Sequence, residues 1–153
     1  MDLIIKEIID KKEKEIISKE ILYDLPEWFG LPESTEEYIK DSQDKPFLAC
    51  YADNDIAGYI VLNATSKDTA DIFVMGIKKK FHRMGIGTKL NTEFENMAKN
   101  LGYSYSQVKT VKMGHYKEYD ITNEFYIAMG YKELECFPTL WDEWNPCQIY
   151  IKY

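Results

Sequence analysis

The stretch Thr69–Gly102, TADIFVMGIKKKFHRMGIGTKLNTEFENMAKNLG, restricts the fold more than any other part of the chain. Ile72, Phe73, Val74 and Ile77 are β-branched or aromatic and read as a buried strand. Lys78, Lys79, Lys80, His82 and Arg83 then form a cationic turn, and Gly85 and Gly87 open a helix. Ile86, Leu90, Phe94, Met97, Ala98 and Leu101 recur at steps of three and four, which makes one apolar stripe. Gly102 stands where a C-terminal cap belongs. Glycines at a helix start expose backbone N–H groups at the positive end of the helix dipole, an arrangement that suits an anion. The whole chain carries a net charge of -7, so the cations between Lys78 and Lys89 run against the overall balance. A solvated turn whose glycines merely permit a tight bend is the alternative, and it would be the default for GxG alone. The strand before, the helix after and the cation cluster together favour a phosphate or pyrophosphate site, with the amides of Arg83, Met84, Gly85, Ile86, Gly87 and Thr88 as donors.

Spacing narrows the ligand. A dinucleotide fingerprint needs a small residue three after Gly87, where Leu90 stands, and the GxxxxGK[ST] loop of nucleoside triphosphatases is absent. What remains is His82–Gly87, HRMGIG. It resembles the (Gln/Arg)-x-x-Gly-x-(Gly/Ala) signature of the GNAT family of N-acetyltransferases, whose turn holds the pyrophosphate of acetyl-CoA. His82 departs from the usual Gln or Arg, so the resemblance gives it only proximity to phosphate.

The whole chain of 153 residues, 45% of them hydrophobic, is enough for one domain with a real core, 1–153. Leu3–Ile9 reads as a strand, residues 11–24 as a charged helix ended by Pro26, and Ser34 with Glu37 as a capping box for a second helix through Ile39. Phe47–Ala52 and Ile56–Leu62 flank an Asp53-Asn54-Asp55 turn and form a hairpin. After the central helix, Tyr103–Val111 reads as a strand parallel to the one before it. Residues 112–121 read as a polar turn, Thr122–Met129 as a short helix closed by Gly130, and Tyr131–Phe137 and Cys147–Tyr153 as the last strands. The order β-α-α-β-β-β-α-β-α-β-β is a mixed α/β fold, a single layer of strands flanked by helices. It coincides with the acetyltransferase order over essentially the whole chain.

Composition excludes some classes. No apolar run is long enough to cross a membrane, and MDLIIKEIIDKKEKE lacks the uncharged core of a signal peptide. Cys50, Cys136 and Cys147 are odd in number and without CxxC, which argues against a disulfide framework or zinc cluster and fits a reducing cytoplasm. His82 and His115 do not make a metal site. The acidic balance disfavours nucleic acid and favours a cationic partner.

Acyl transfer to an amine needs a held cofactor, a polarised thioester carbonyl, a base for the ammonium and, optionally, an acid for the departing thiolate. Gly76 inside a strand marks either a bulge, which would free the N–H groups of Met75 and Ile77, or room for a packed side chain. The resemblance favours the bulge, because the family's cofactor pairs with this strand. Asp71 is the candidate base, since partial burial would raise its pKa, and Ala70-Asp71-Ile72 is similar to the strand of histone-type members carrying a catalytic Glu. An outward-facing Asp at a solvated strand end competes with that reading. Phe125–Tyr131, FYIAMGY, looks like the family's Tyr-x-x-x-Gly-(Phe/Tyr) motif and implies that Tyr126 reaches the cofactor sulfur; packing alone is the alternative. Tyr119 replaces an Asn frequent in the family, and Asn123 is the nearest substitute for contact with pantetheine. The resemblance also places Trp28 and Phe29, with Glu27 and Glu33, and Trp141 and Trp144, with Asp142 and Glu143, around the acceptor. Aromatic and acidic walls suit an alkylammonium; the same aromatics would otherwise plug the core. The WFG and WNPC segments resemble small acetyltransferases of low-GC Gram-positive bacteria. The implied activity is transfer from acetyl-CoA to the primary amine of a small cationic molecule, without a metal and with a homodimer possible. A non-catalytic acyl-CoA-binding regulatory module and a protein N-terminal or lysine acetyltransferase are the alternatives.

Overall fold

A computed structural model describes residues 1–153. Its elements are β1 (Leu3–Glu7), α1 (Lys11–Leu22), α2 (Pro32–Ser42), β2 (Phe47–Ala52), β3 (Asp55–Ala64), β4 (Thr69–Ile77), α3 (Ile86–Asn100), β5 (Tyr105–Val111), α4 (Lys117–Ala128), β6 (Lys132–Phe137) and β7 (Cys147–Lys152). One short 3-10 turn, Lys79–Phe81, sits between β4 and α3. The element order is the one expected from the sequence. All seven strands lie in one sheet in the order β1-β2-β3-β4-β5-β7-β6. Every pairing is antiparallel except β4 with β5. Parallel neighbours cannot be closed by a hairpin, and α3 is the crossover this pair requires. No helix is long and apolar enough to cross a membrane.

Strand alternation divides the core between the two faces. Phe47, Ala49, Tyr59, Val61 and Val74 meet Ile17, Ile21 and Leu22 of α1 and Ile39 of α2. Leu48, Cys50, Ile60, Leu62, Ile72 and Val108 meet Ile86, Leu90, Phe94 and Ala98 of α3 and Tyr126 of α4. The hairpin turn has Asp53 at φ 48° and Asn54 at φ 73°. Paired left-handed residues give the turn whose twist matches that of the flanking strands.

Local departures have physical causes. α2 begins at Pro32, and Leu31 caps it without a side-chain bond. Proline at the first helical position loses no bond, because its missing N–H would have been unpaired there anyway. Ser34 and Glu37 therefore lie inside the helix and form no capping box, while Thr35 Oγ1 bonds the carbonyls of Phe29 and Leu31. α4 starts at Lys117, a turn earlier than its apolar pattern indicates, and carries Glu118 and Asp120 in the first turn, where the dipole favours acids. Leu101 lies past the end of α3 and is exposed.

Close contact between β3 and β4 rests on Gly58. A Cβ there would stand 2.9 Å from Gly76 O and 3.0 Å from Ile77 Cγ1. Gly58→Ala is expected to cost about 1–3 kcal/mol, the range for overpacking, read as a lowered midpoint in chemical denaturation; an unchanged midpoint would show that β4 yields freely.

Candidate active site

β4 and β5 pair only from Thr69↔Tyr105 to Ile72↔Val108. Beyond that point β4 continues along β3 and β5 along β7, so the two strands diverge and leave a cleft in the sheet. The irregularity that starts the divergence is at Phe73, which is skipped between the pairs Leu62↔Ile72 and Val61↔Val74. It is not at Gly76, where the sequence reading put a bulge. Gly76 is paired with Tyr59, and a Cβ on it would meet Ile21 Cγ2 at 2.9 Å, so this glycine makes room for α1. Lys78 N donates to Ala57 O, and by alternation the polar backbone of Gly76 also faces β3. The N–H groups of Met75 and Ile77 consequently face the cleft, where no strand covers them. Ile77 O, on the same edge, accepts from His82 Nε2 at 2.7 Å.

The turn after β4 is open. Arg83, Met84, Gly85 and Thr88 are exposed, His82 and Gly87 are half-buried, and only the Ile86 side chain enters the core. The first helical bond closed here runs from Lys89 N to Gly85 O. The amides from Arg83 to Thr88 donate to no carbonyl, and Gly85, the N-cap, has no side-chain cap to offer. Arg83 and Gly85 hold φ of 63° and 80°. Left-handed residues interleaved with ordinary ones turn successive N–H groups toward a common concavity, the backbone nest that binds anions. An arginine kept in that conformation costs about 1–2 kcal/mol and marks a constrained turn. Gly87 is needed for closeness instead, since a Cβ would meet Ile77 Cδ1 at 3.2 Å and Phe125 Cε1 at 3.3 Å.

The side-chain charges are arranged differently from the sequence expectation. Lys78 pairs with Glu20 and Lys79 with Glu27 at 2.6 Å, both on the α1 side. Lys79 N also donates to Asp24 Oδ2. These lysines tie the turn to α1 and the segment after it, leaving Lys80, Arg83 and Lys89 as exposed cations without a carboxylate partner, the last two flanking the free amides in sequence. His82 likewise points inward, to Ile77 O and edge-on to the Trp28 ring, and contributes no side chain to the concavity.

Asp71 is 4% exposed, which removes the reading of a solvated strand end. Burial raises its pKa, opposed by Lys109 and by Gln107, whose Nε2 donates to Asp71 Oδ1 at 3.1 Å. Lys109 Nζ lies 3.7 Å from Asp71 Oδ2, beyond hydrogen-bond length. Tyr38, on α2, has its pKa raised by burial and then by Asp71 and Cys147, so its hydroxyl stands within electrostatic reach of the carboxylate. Its ring joins Phe29 and Phe73 in edge contacts at 5.9 and 5.3 Å. The sequence reading missed Tyr38, Gln107 and Lys109. Lys109 left a signal, a lone cation in an otherwise apolar and small-polar strand.

Tyr126 is buried from α4 against Phe125 and Tyr131. Burial first, then Tyr131 and Asp71, hold its phenol pKa well above the ordinary value. Its hydroxyl bonds to nothing in the chain, yet the only side-chain polar atoms sealed away without a partner are Ser18 Oγ and Tyr59 Oη. Asn123 corrects an expectation. It is fully buried, donates to Val111 O and Tyr119 O, and accepts from Tyr150 Oη at 2.6 Å. Nothing of it is left for pantetheine. Tyr119 donates to Trp28 O, and the Trp28 indole donates to Glu118 O and Thr122 Oγ1, so the loop after α1 is pinned to α4. Trp141 and Trp144 stand exposed on the β6–β7 loop and form no ring pair with Trp28 or Phe29. Of the expected acidic walls, Glu27 is taken by Lys79, and Asp142 accepts from Trp144 N and Asn145 N at 2.8 Å; Glu33 and Glu143 are exposed.

The model of the acetyltransferase (GNAT) family matches residues 15–131. Among solved structures, one described as a GNAT-family acetyltransferase from Desulfovibrio desulfuricans superposes with a TM-score of 0.83 at 15% identity, covering 99% of this chain and 98% of that one. A GNAT acetyltransferase from Elizabethkingia anophelis, solved with acetyl-CoA bound, gives 0.75 at 17% identity, with 97% and 96% covered. The aminoglycoside 6'-N-acetyltransferase from Enterococcus faecium gives 0.75 at 18%, with 97% and 96% covered. At these identities the likeness establishes the fold. No curated protein sequence matches.

Proposed function

Because the chain belongs to the GNAT family of acetyltransferases, we propose that it transfers the acetyl group of acetyl-CoA to the primary amine of a small molecule that arrives as an ammonium. The observation that carries this reading is the run of uncapped, outward-open amides from Arg83 to Thr88 beside the free edge of β4. A pyrophosphate fits such a cradle: the donors are unpaired, the helix dipole points at it, and Arg83 and Lys89 add charge from outside. Met75 and Ile77 offer N–H groups to the pantetheine arm and the thioester oxygen, an oxyanion-type arrangement. When bound, acetyl-CoA supplies an acyl group activated as a thioester.

The chain's own residues do the rest. The divergence of β4 and β5 opens a passage through the sheet, so that amine and thioester approach from opposite faces. Asp71, kept more basic than an ordinary carboxylate by its burial, takes the proton of the ammonium directly or through one water. Tyr126 donates a hydrogen bond to the sulfur as charge develops on it. Trp28 and Phe29 line the acceptor side, with Trp141 and Trp144 as its outer rim.

Thiol release from acetyl-CoA across a panel of primary amines tests the activity. Amine-dependent release is expected, and cofactor binding without release by any amine would instead support a binding module. Thr88→Glu separates the cradle from the fold. A carboxylate in the first helical turn should stabilise α3 by about 0.3–1 kcal/mol, yet repel the pyrophosphate and weaken acetyl-CoA binding about tenfold or more. Thermal unfolding and cofactor titration should therefore move in opposite senses; if binding is unaffected, the amides are not the cradle.

A further inference from the structure

Lys109 is unused by the reading above. It projects from β5 beside the cleft, its side chain is 32% exposed, and its nearest carboxylate is Asp71 at 3.7 Å. It makes no hydrogen bond of normal length, and no second carboxylate lies within ion-pair distance. Glu135, on the same face across β7, is exposed and unpaired with it. The ammonium is thus loosely paired with the proposed base and makes no hydrogen bond of normal length, which leaves its three donors able to serve a ligand.

We propose that Lys109 is the anion subsite of the acceptor and that the acceptor is an α-amino acid or a close analogue, with a free carboxylate on the carbon bearing the amine. This rests on the acetyltransferase reading and narrows its substrate. The cleft holds one buried anion, Asp71, and one adjacent cation, Lys109. An amine carrying a second positive charge would bring it against Lys109 in a poorly hydrated site, and buried like charges are costly. A zwitterion leaves every charge paired, its ammonium on Asp71 and its carboxylate on Lys109. The short Asp71–Lys109 gap suits opposite charges separated by a single carbon. The Phe29 and Tyr38 rings offer an apolar surface for the side chain, while the Phe73 ring beside them carries Lys45 Nζ 4.5 Å from its centroid. Two of the four acids that would have received a polycation are diverted, Glu27 by Lys79 and Asp142 into its own loop, while Glu33 and Glu143 stay exposed.

The test is a matched series in which only the carboxylate changes: phenylalanine, phenylalaninamide and phenethylamine, with the corresponding leucine set, assayed by thiol release. For the wild type, kcat/KM is expected to be about tenfold or more higher with the carboxylate, as for a charged hydrogen bond. Lys109→Gln should bring that ratio near one, chiefly through KM, while Lys109→Arg keeps much of it. Acetyl-CoA affinity measured on each variant shows that the fold and cradle are intact. Equal or better use of the amide or decarboxylated amine by the wild type overturns the proposal, as does a preference that survives in Lys109→Gln. Cofactor binding with no turnover of any amine overturns the acetyltransferase reading, and this proposal with it.

Discussion

Asp71→Asn is expected to lower kcat for an amine acceptor by about 10²–10⁴-fold, the range for removing a general base, with acetyl-CoA affinity unchanged. The acid limb of the wild-type pH–rate profile should follow Asp71, whose pKa burial raises above the ordinary carboxylate value. Activity climbs as pH rises through that raised value, because only the ionised form accepts a proton. The same shift has a cost in stability. An acid whose folded pKa is raised keeps its proton longer in the folded chain than in the unfolded one, so stability falls as pH rises from the ordinary carboxylate range through the raised pKa. Asn removes that loss and can still accept from Gln107 Nε2, as Asp71 Oδ1 does. The variant should therefore be at least as stable as the wild type at neutral pH while being far less active. Urea denaturation and a pH–rate profile read the two effects separately. An acid limb that stays in place would take Asp71 out of the mechanism.

Tyr126→Phe is expected to reduce kcat about 10- to 150-fold, again with little change in cofactor affinity. The size follows from losing one hydrogen bond to a developing anion, about 1.5–3 kcal/mol. An ordinary phenol, with a pKa near 10, could in principle hand its proton to a thiolate whose acid has a pKa near 8.5 only at a modest cost. Burial pushes Tyr126 higher, which makes full transfer more uphill and leaves hydrogen-bond donation as its contribution. The hydroxyl also stays protonated throughout the working range, so the variant should lose rate evenly across pH without a shift in profile. Phe fills the same volume against Phe125 and Tyr131, and stability should hold. Unaltered turnover would make Tyr126 a packing residue.

Much of the fold was legible because its signals are local. The alternation in Phe47–Ala52, the Asp53-Asn54 turn and the three-and-four spacing of Ile86, Leu90, Phe94 and Ala98 each reflect burial of one face. Gly85 and Gly87 were readable as a tight turn opening a helix for the same reason, since the backbone they require is encoded within a few residues. What escaped depends on contacts between distant segments. Lys78 and Lys79 look like part of an anion site until Glu20 of α1 and Glu27 of the segment after it are brought beside them. Gly76 looks like a bulge until Ile21 packs over it, and the bulge itself falls on Phe73, an ordinary strand residue by type. Asn123 looks available until Tyr150 closes on it. Lys109 and Tyr38 acquire meaning only where β5 leaves β4 and α2 covers Asp71. Pairwise charge compensation and burial are properties of the assembled sheet, and spacing along one strand does not carry them.

Calorimetric titration of acetyl-CoA into the wild-type protein and Thr88→Glu bears most directly on the open amides at the head of α3. One site is predicted, with a wild-type Kd between about 1 μM and 1 mM, the usual span of enzyme–substrate affinities, and binding about tenfold or more weaker in the variant. Absence of wild-type binding at millimolar acetyl-CoA, or equal affinity in the two proteins, would contradict it.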